Sequence, residues 1–275
     1  MSVSVEKDPL DASISPDRVF YAEGALLGVE DFTDEQTYHR GRLARALAFL
    51  DGSGTLAGLK VEYKGPKGPN EQIVTHPGAA IDRLGRLVEV PRDACIRLDN
   101  WYAAQTASDL VQGFHAAAGG VVVDVFLRFV ACDRALTPAF ATGPFDATDY
   151  VSPSRVRDGY KLDLVIRKEG NPPLPQSPWP DFAAEADPAK RRAAVHNAIF
   201  DSWGAAAHQR DGNGSLVPLA EHAPGQDTTA IFLARLVIPA AAGNPPLRTA
   251  GDVTVDNDSR AFVYPVGALA RWLAV

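Results

Sequence analysis

Only two cysteines, Cys95 and Cys132, and one methionine occur in 275 residues. Two thiols cannot build a disulfide framework, and both stand in apolar stretches, so they are expected to stay buried and reduced. Positive charge is short as well: 27 Lys and Arg against 34 Asp and Glu leave a net charge of −7. Polyanion binders hold phosphates with basic stripes, so a general nucleic-acid partner is excluded. A membrane span needs about 18 uncharged apolar residues in a row. The longest apolar stretch, Gly119 to Val130, is broken by Asp124 and Arg128, so no span is expected. Met1 to Asp8 shows no basic region ahead of an apolar core, so no secretory signal is expected and assembly is placed in the cytoplasm. Apolar types at 46 % and charged types at 22 % exclude a wholly disordered chain.

Reaction chemistry is equally sparse. No pair among His39, His76, His115, His196, His208 and His222 has the i, i+4 spacing of a helical zinc site, and neither cysteine has a CxxC partner. Asp211 to Ser215 opens like a calcium loop, but the sixth position is Leu216 and the twelfth is His222 where glycine and glutamate are required. This loop and Asp256 to Asp258 are expected to be Asx turns. Neither a GxSxG elbow nor a phosphate-cradling glycine loop is found. Catalytic, cofactor and metal residues are therefore assigned to none.

What is present reads as an α+β chain: a mainly antiparallel β-rich core with an N-terminal helix, a helical insertion and a C-terminal helix. Residues 1–20 form an arm, 21–170 and 228–275 the core, and 171–227 a proline-rich and helical insertion. Thr33 as N-cap with Gln36 three residues on predicts a helix ending at Asp51-Gly52. Tyr38, Leu43, Ala46, Leu47 and Leu50 are expected on its buried side, with a basic face opposite. Short strands are predicted at Leu56–Tyr63, Ile73–His76, Ala79–Asp82 and Leu87–Val90, with a tight turn over Arg83-Leu-Gly85. A helix over about Trp101–Phe114 precedes the most apolar strand, Val121–Val130. That strand should be central, with Val123, Val125 and Leu127 on one face and Phe126 on the other. Half-buried strands follow at Tyr160–Arg167 and Ile231–Ile238. Between them, five prolines in Asn171–Pro180 exclude helix and central strand. Asp187-Pro188 then starts a helix to about Gln209, with Val195, Ile199, Trp203 and Ala206 as its apolar stripe. A hairpin joining Val253–Val255 to Ala261–Tyr264 and a short helix, Val266–Leu273, close the chain.

Several passages resemble phage tail and phage-like contractile injection system proteins. Residues Tyr21 to Gln36, followed by Tyr38, His39, Arg40 and Arg42, look like the opening of such proteins, with an aspartate-Phe/Leu-x-x-Glu-Gln helix. Gly52, Gly54, Gly58, Leu59 and Val61 match their "G-x-G-x-x-x-G-L-x-V" passage. Pro77 to Arg86 matches "P-G-x-A-I/L-D-x-x-G-R", and Pro153 to Tyr160 resembles "P-S-R-I-R-E-x-Y". The resemblance covers roughly residues 20–91, 121–166 and 228–272; no fibre-like repeat or lysozyme-type domain accompanies it. It implies a non-enzymatic structural component near a baseplate or fibre attachment, a homo-oligomer or symmetric assembly with other tail or baseplate proteins as partners, and residence in a particle after assembly. The matched residues themselves read as framework. Gly78 and Gly85 would supply turns with permissive backbone angles, and Asp82 would cap the hairpin.

Candidate interface residues are Arg155, Arg157, Trp179, Arg40 and Arg42. Alternation around Val156 puts Arg155 and Arg157 on one side of an extended segment. Asp146, Asp149 and Asp158 are their candidate internal partners, and a neighbouring subunit is the alternative. Trp179, in the proline-rich loop, suits a contact better than a core. Two further readings stand beside the structural one. A carbohydrate or cell-surface ligand module would use Trp179 and Tyr150 with Asp146 and Asp149, and a hydrolase would need a catalytic site that is not local in sequence.

Overall fold

A computed structural model describes residues 8–11, 17–138 and 151–273. Helix α1 spans Val29–Leu50, and six short strands follow: β1 Gly54–Gly58, β2 Val61–Lys64, β3 Gln72–Thr75, β4 Gly78–Ile81, β5 Leu87–Val90 and β6 Ala94–Arg97. Helices α2 (Leu98–Ala103) and α3 (Ala107–Gln112) lead to β7 (Phe114–His115) and two long strands, β8 (Gly120–Pro138) and β9 (Val151–Ile166). After α4 (Pro188–Asp201) come β10 (Ile231–Ala241), β11 (Leu247–Arg248), β12 (Thr254–Asp256) and α5 (Val266–Leu273).

All named strand pairs are antiparallel, as expected. The order is β1-β4-β5 in one small sheet and β2-β3-β6 in another. In the main sheet β8 lies between β10 on one side and β7 and β9 on the other, while β11 and β12 pair with β10. Gly120 to Leu127 of β8 are buried without interruption. Val121, Val123, Val125 and Leu127 join the main core with Leu59, Ile73, Val88, Leu98, Leu233 and Leu236, while Phe126 packs on the other face with Ala230 and Phe232. A strand apolar on both faces thus becomes the middle of the molecule. The β4–β5 turn also forms as read: Asp82 Oδ1 accepts from the backbone N–H groups of Leu84 and Arg86 at 2.9 Å each. Gly85 takes φ +84 there. Gly78 serves close approach instead of a turn angle, since a Cβ on it would lie 2.2 Å from the Ala57 carbonyl oxygen.

Several expectations are corrected. Helix α1 begins four residues before Thr33, which sits inside it with Oγ1 donating to the Val29 carbonyl at 3.0 Å. The cap is Gly28, whose N–H donates to the Asp31 carboxylate at 2.7 Å. Its buried side is Thr37, Ala44 and Ala48, not the larger apolar residues, because small side chains let the helix axis approach the body closely. Leu43 and Leu50 point to solvent. The helix expected over Trp101–Phe114 is two helices, broken where Thr106 caps the second by accepting from Asp109 N–H. The strand read as Leu56–Tyr63 is two, β1 and β2, separated by Leu59 at φ 56. Cys95 is exposed and Cys132 half-buried: β6 is a sheet edge whose alternate residues face out. Helix α4 ends at Asp201 and buries none of its stripe; Ile199 and Trp203 are exposed. No hairpin joins Val253–Val255 to Ala261–Tyr264. Strand β12 pairs with β10, and Phe262 makes a parallel bridge to Thr55.

Candidate interface

Beyond Leu127, β8 leaves β10 behind and pairs only with β9, down to Pro138 opposite Val151. The two strands continue as a ribbon, of which Cys132–Pro138 with Val151–Arg157 forms the outer part, about 24 Å at the usual rise per residue. Arg155 lies directly opposite Arg134, and Arg157 opposite Cys132. Side chains directly across an antiparallel pair share a face, so Arg134, Arg155 and Arg157 form one basic face. Asp133, Val156 and Asp158 take the other face, which removes Asp158 as a same-side partner. Asp146, Asp149 and Tyr150 lie outside the described residues. All three arginines are exposed, and among the described residues none has a hydrogen bond or ion pair. Opposed like charges are unfavourable in isolation, and an anion against this face would relieve them. Leu136, Val151 and Val156, at 69 %, 50 % and 52 % exposure, add apolar area on the same ribbon. At its base Arg128 is satisfied by Asp163 at 3.1 Å and Asp227 at 3.6 Å, and Lys161 by Asp163 at 2.7 Å.

The other candidates do not gather with this face. Arg40 is committed within the chain: its Nη2 donates to buried Asp8 at 3.0 Å. Asp8 and Asp11, part of the arm expected to have no core of its own, also receive Arg86 Nη1 at 3.4 and 2.8 Å. Among the described residues Arg42 has no carboxylate partner, and its guanidinium lies 5.6 Å from the Tyr38 ring centre. Trp179 is 45 % exposed, and its main chain hydrogen-bonds with the Ser177 hydroxyl at 3.2 Å. Residue-by-residue reading missed Arg134, because its place beside Arg155 depends on strand register.

Several buried charges elsewhere are paired within the chain. The Asp124 carboxylate, wholly buried in β8, accepts from Arg167 at 2.5 Å and from Arg235 at 2.8 and 2.9 Å. Arg86 crosses the Phe129 ring and bonds Asp82 at 2.7 Å; burial pushes the Asp82 carboxyl up, and Arg86 opposes that rise. Glu71 pairs with Arg248 and accepts from the Tyr63 hydroxyl at 3.0 Å. Half-buried Glu62 has its pKa lowered to about 2 by hydrogen bonds from Lys60 and His76. A depression lined by Ser53, Arg83, Glu221 and Phe232 offers about 20 Å³, room for one or two waters. Among the described residues no cluster of three metal-ligating side chains forms. No described helix is long and apolar enough to cross a membrane.

The chain matches no protein-family profile and no curated protein sequence. Among solved structures it resembles a chain of the baseplate complex from the type VI secretion system, with a TM-score of 0.32 and 11 % identity over 86 % of this chain. That likeness spans 58 % of the baseplate chain's own length.

Proposed function

We propose that this chain is a non-enzymatic structural component of a phage tail or related contractile particle, seated near the baseplate or fibre attachment. In this reading the basic face of the β8–β9 ribbon holds an acidic segment of a neighbouring subunit. The observation that carries it is Arg134 directly opposite Arg155, with Arg157 beside them and no carboxylate partner among the described residues. Planar guanidinium forks hold carboxylates bidentately, and such pairs gain most when docking expels water. The particle assignment rests on the sequence passages that resemble tail and injection-system proteins. Their residues act as framework: Asp82 caps a turn and Gly85 lets a helix approach. The chain assembles in the cytoplasm and is then carried in the particle, as a homo-oligomer or with other baseplate proteins.

Arg155→Ala and Arg157→Ala test this. Both side chains are exposed, so each variant should melt with the wild type while its incorporation into sedimented particles falls. Loss of one partner of a desolvated pair costs about 2–5 kcal/mol of binding. Variants that melt early but incorporate normally would make these residues internal staples. Mass spectrometry of purified particles that lack the chain would overturn the particle assignment.

A further inference from the structure

Helix α1 is amphipathic in an inverted sense. Its buried residues are small, and four of its large apolar ones face solvent. Val29 is 82 % exposed, Phe32 50 %, Leu43 64 % and Leu50 82 %. These positions are not scattered. Val29, Gln36, Leu43 and Leu50 recur every seven residues, and Phe32, His39 and Ala46 follow each of the first three by three. These are the a and d positions of a coiled-coil seam; five of the seven are apolar and the central two, Gln36 and His39, are polar. The buried residues Thr37, Ala44 and Ala48 fall at b and f, so the fold packs the back of the helix and leaves the seam outward.

Self-complementarity identifies the occupant. If a second α1 is laid antiparallel on this seam with Gln36 opposite His39, then Phe32 meets Leu43 and Val29 meets Ala46. The one polar layer pairs an amide with an imidazole, in both symmetry-related copies. Flanking this layer, the g positions bring Glu35 opposite Arg42, again twice. In a parallel pairing Glu35 would instead meet Arg40, which Asp8 already holds at 3.0 Å, and His39 would face itself. Glu35 accepts from the Tyr21 hydroxyl and lies 3.9 Å from His39, and Arg42 forms no ion pair among the described residues, its guanidinium lying over the Tyr38 ring. An isologous two-fold contact needs one patch to satisfy itself in this way. The helix is already ordered on the body, so docking does not cost helix formation.

We propose that α1 is a self-association helix: its solvent-facing heptad seam pairs antiparallel with α1 of a second copy of this chain, Glu35 of each copy facing Arg42 of the other. The inference rests on α1 alone and stands whichever particle the chain serves. Sedimentation of the purified full chain tests it. The wild type should form a concentration-dependent species of twice the 29.4 kDa chain mass. Leu43→Glu should be monomeric with an unchanged melting temperature, since Leu43 is exposed. Arg42→Glu should weaken the dimer about tenfold by placing two like-charge pairs across the seam, and the double change Glu35→Arg with Arg42→Glu should restore it. The charge exchange carries the test if Leu43→Glu fails to fold. A wild type that stays monomeric at high concentration overturns the proposal. So does a dimer that Leu43→Glu leaves intact, or one that the double exchange does not recover.

Discussion

Arg83 sits almost wholly buried at the β4–β5 turn and forms no ion pair among the described residues. Its guanidinium donates to the main-chain carbonyls of Ala206 and Val217 at 2.8 Å, Thr228 at 3.0 Å and Ala207 at 3.1 Å. Burial lowers its pKa to about 10, so it stays charged near neutrality and ties the segment after α4 to the core turn. His222 is the titratable counterpart in the same region. Its Nδ1 accepts from the Leu219 N–H at 2.9 Å, and its Nε2 donates to the Ala230 carbonyl at 3.0 Å, an arrangement that requires the neutral ring. Burial holds its pKa below the ordinary imidazole value; Glu221 and Asp227 pull it up, and Arg83 pushes it down. The unfolded chain binds that proton near pH 6.5 and the folded chain resists it. His222 therefore contributes stability that is full above about pH 6.5 and is lost as the pH falls toward the depressed folded value. Melting temperatures followed between about pH 8 and pH 5 should decline more steeply for the wild type than for His222→Gln. Parallel declines would mean that His222 does not titrate in the fold.

Helix α1 is held on the body by close backbone approach. A Cβ on Gly85 would lie 1.7 Å from the Ala44 carbonyl oxygen, and Gly85 also takes φ +84, which L-residues rarely adopt. Gly85→Ala should therefore destabilise by more than about 1–3 kcal/mol, the sum of backbone strain and a helix pushed outward. Hydrogen exchange should show the loss concentrated in Thr37 to Ala48. Equal protection in both proteins would mean the turn does not seat the helix. The turn was legible in the sequence because Asp82 and Gly85 are local signals, and so were the central strand, the Asp187-Pro188 helix start and α5. The burial side of α1 was not. Size of side chain suggested that Leu43 and Leu50 should be inside, yet a helix seated by Gly85 needs small residues at the contact. Strand ends were lost for a related reason. Arg134 to Pro138 carry no apolar alternation, and only pairing with β9 makes them strand.

The molecule as a whole divides into a packed body and surfaces that the chain leaves unpaired. Two small sheets of short antiparallel strands and the main sheet around β8 and β10 hold the apolar core. Buried charges such as Asp124 with Arg167 and Arg235 are satisfied internally. The basic ribbon face and the α1 seam are not, and they were only half legible: the heptad spacing is in the sequence, whereas the opposition of Arg134 and Arg155 exists only once the register is set. Core side chains on β8 and β9 stop at Ala131 and Tyr160, and the ribbon beyond adds none. The body should therefore fold without it. Replacing Cys132–Arg157 by an Asn-Gly turn joins Ala131 to Asp158, which already face each other across the pair. The shortened chain should keep its melting temperature within a few degrees, since about 1 kcal/mol moves a domain of this size by about 2–4 °C. It should also keep any self-association through α1, which the deletion does not touch, while incorporation into particles is lost. A shortened chain that unfolds would show that the ribbon braces the sheet. One that incorporates normally would show that docking uses another surface.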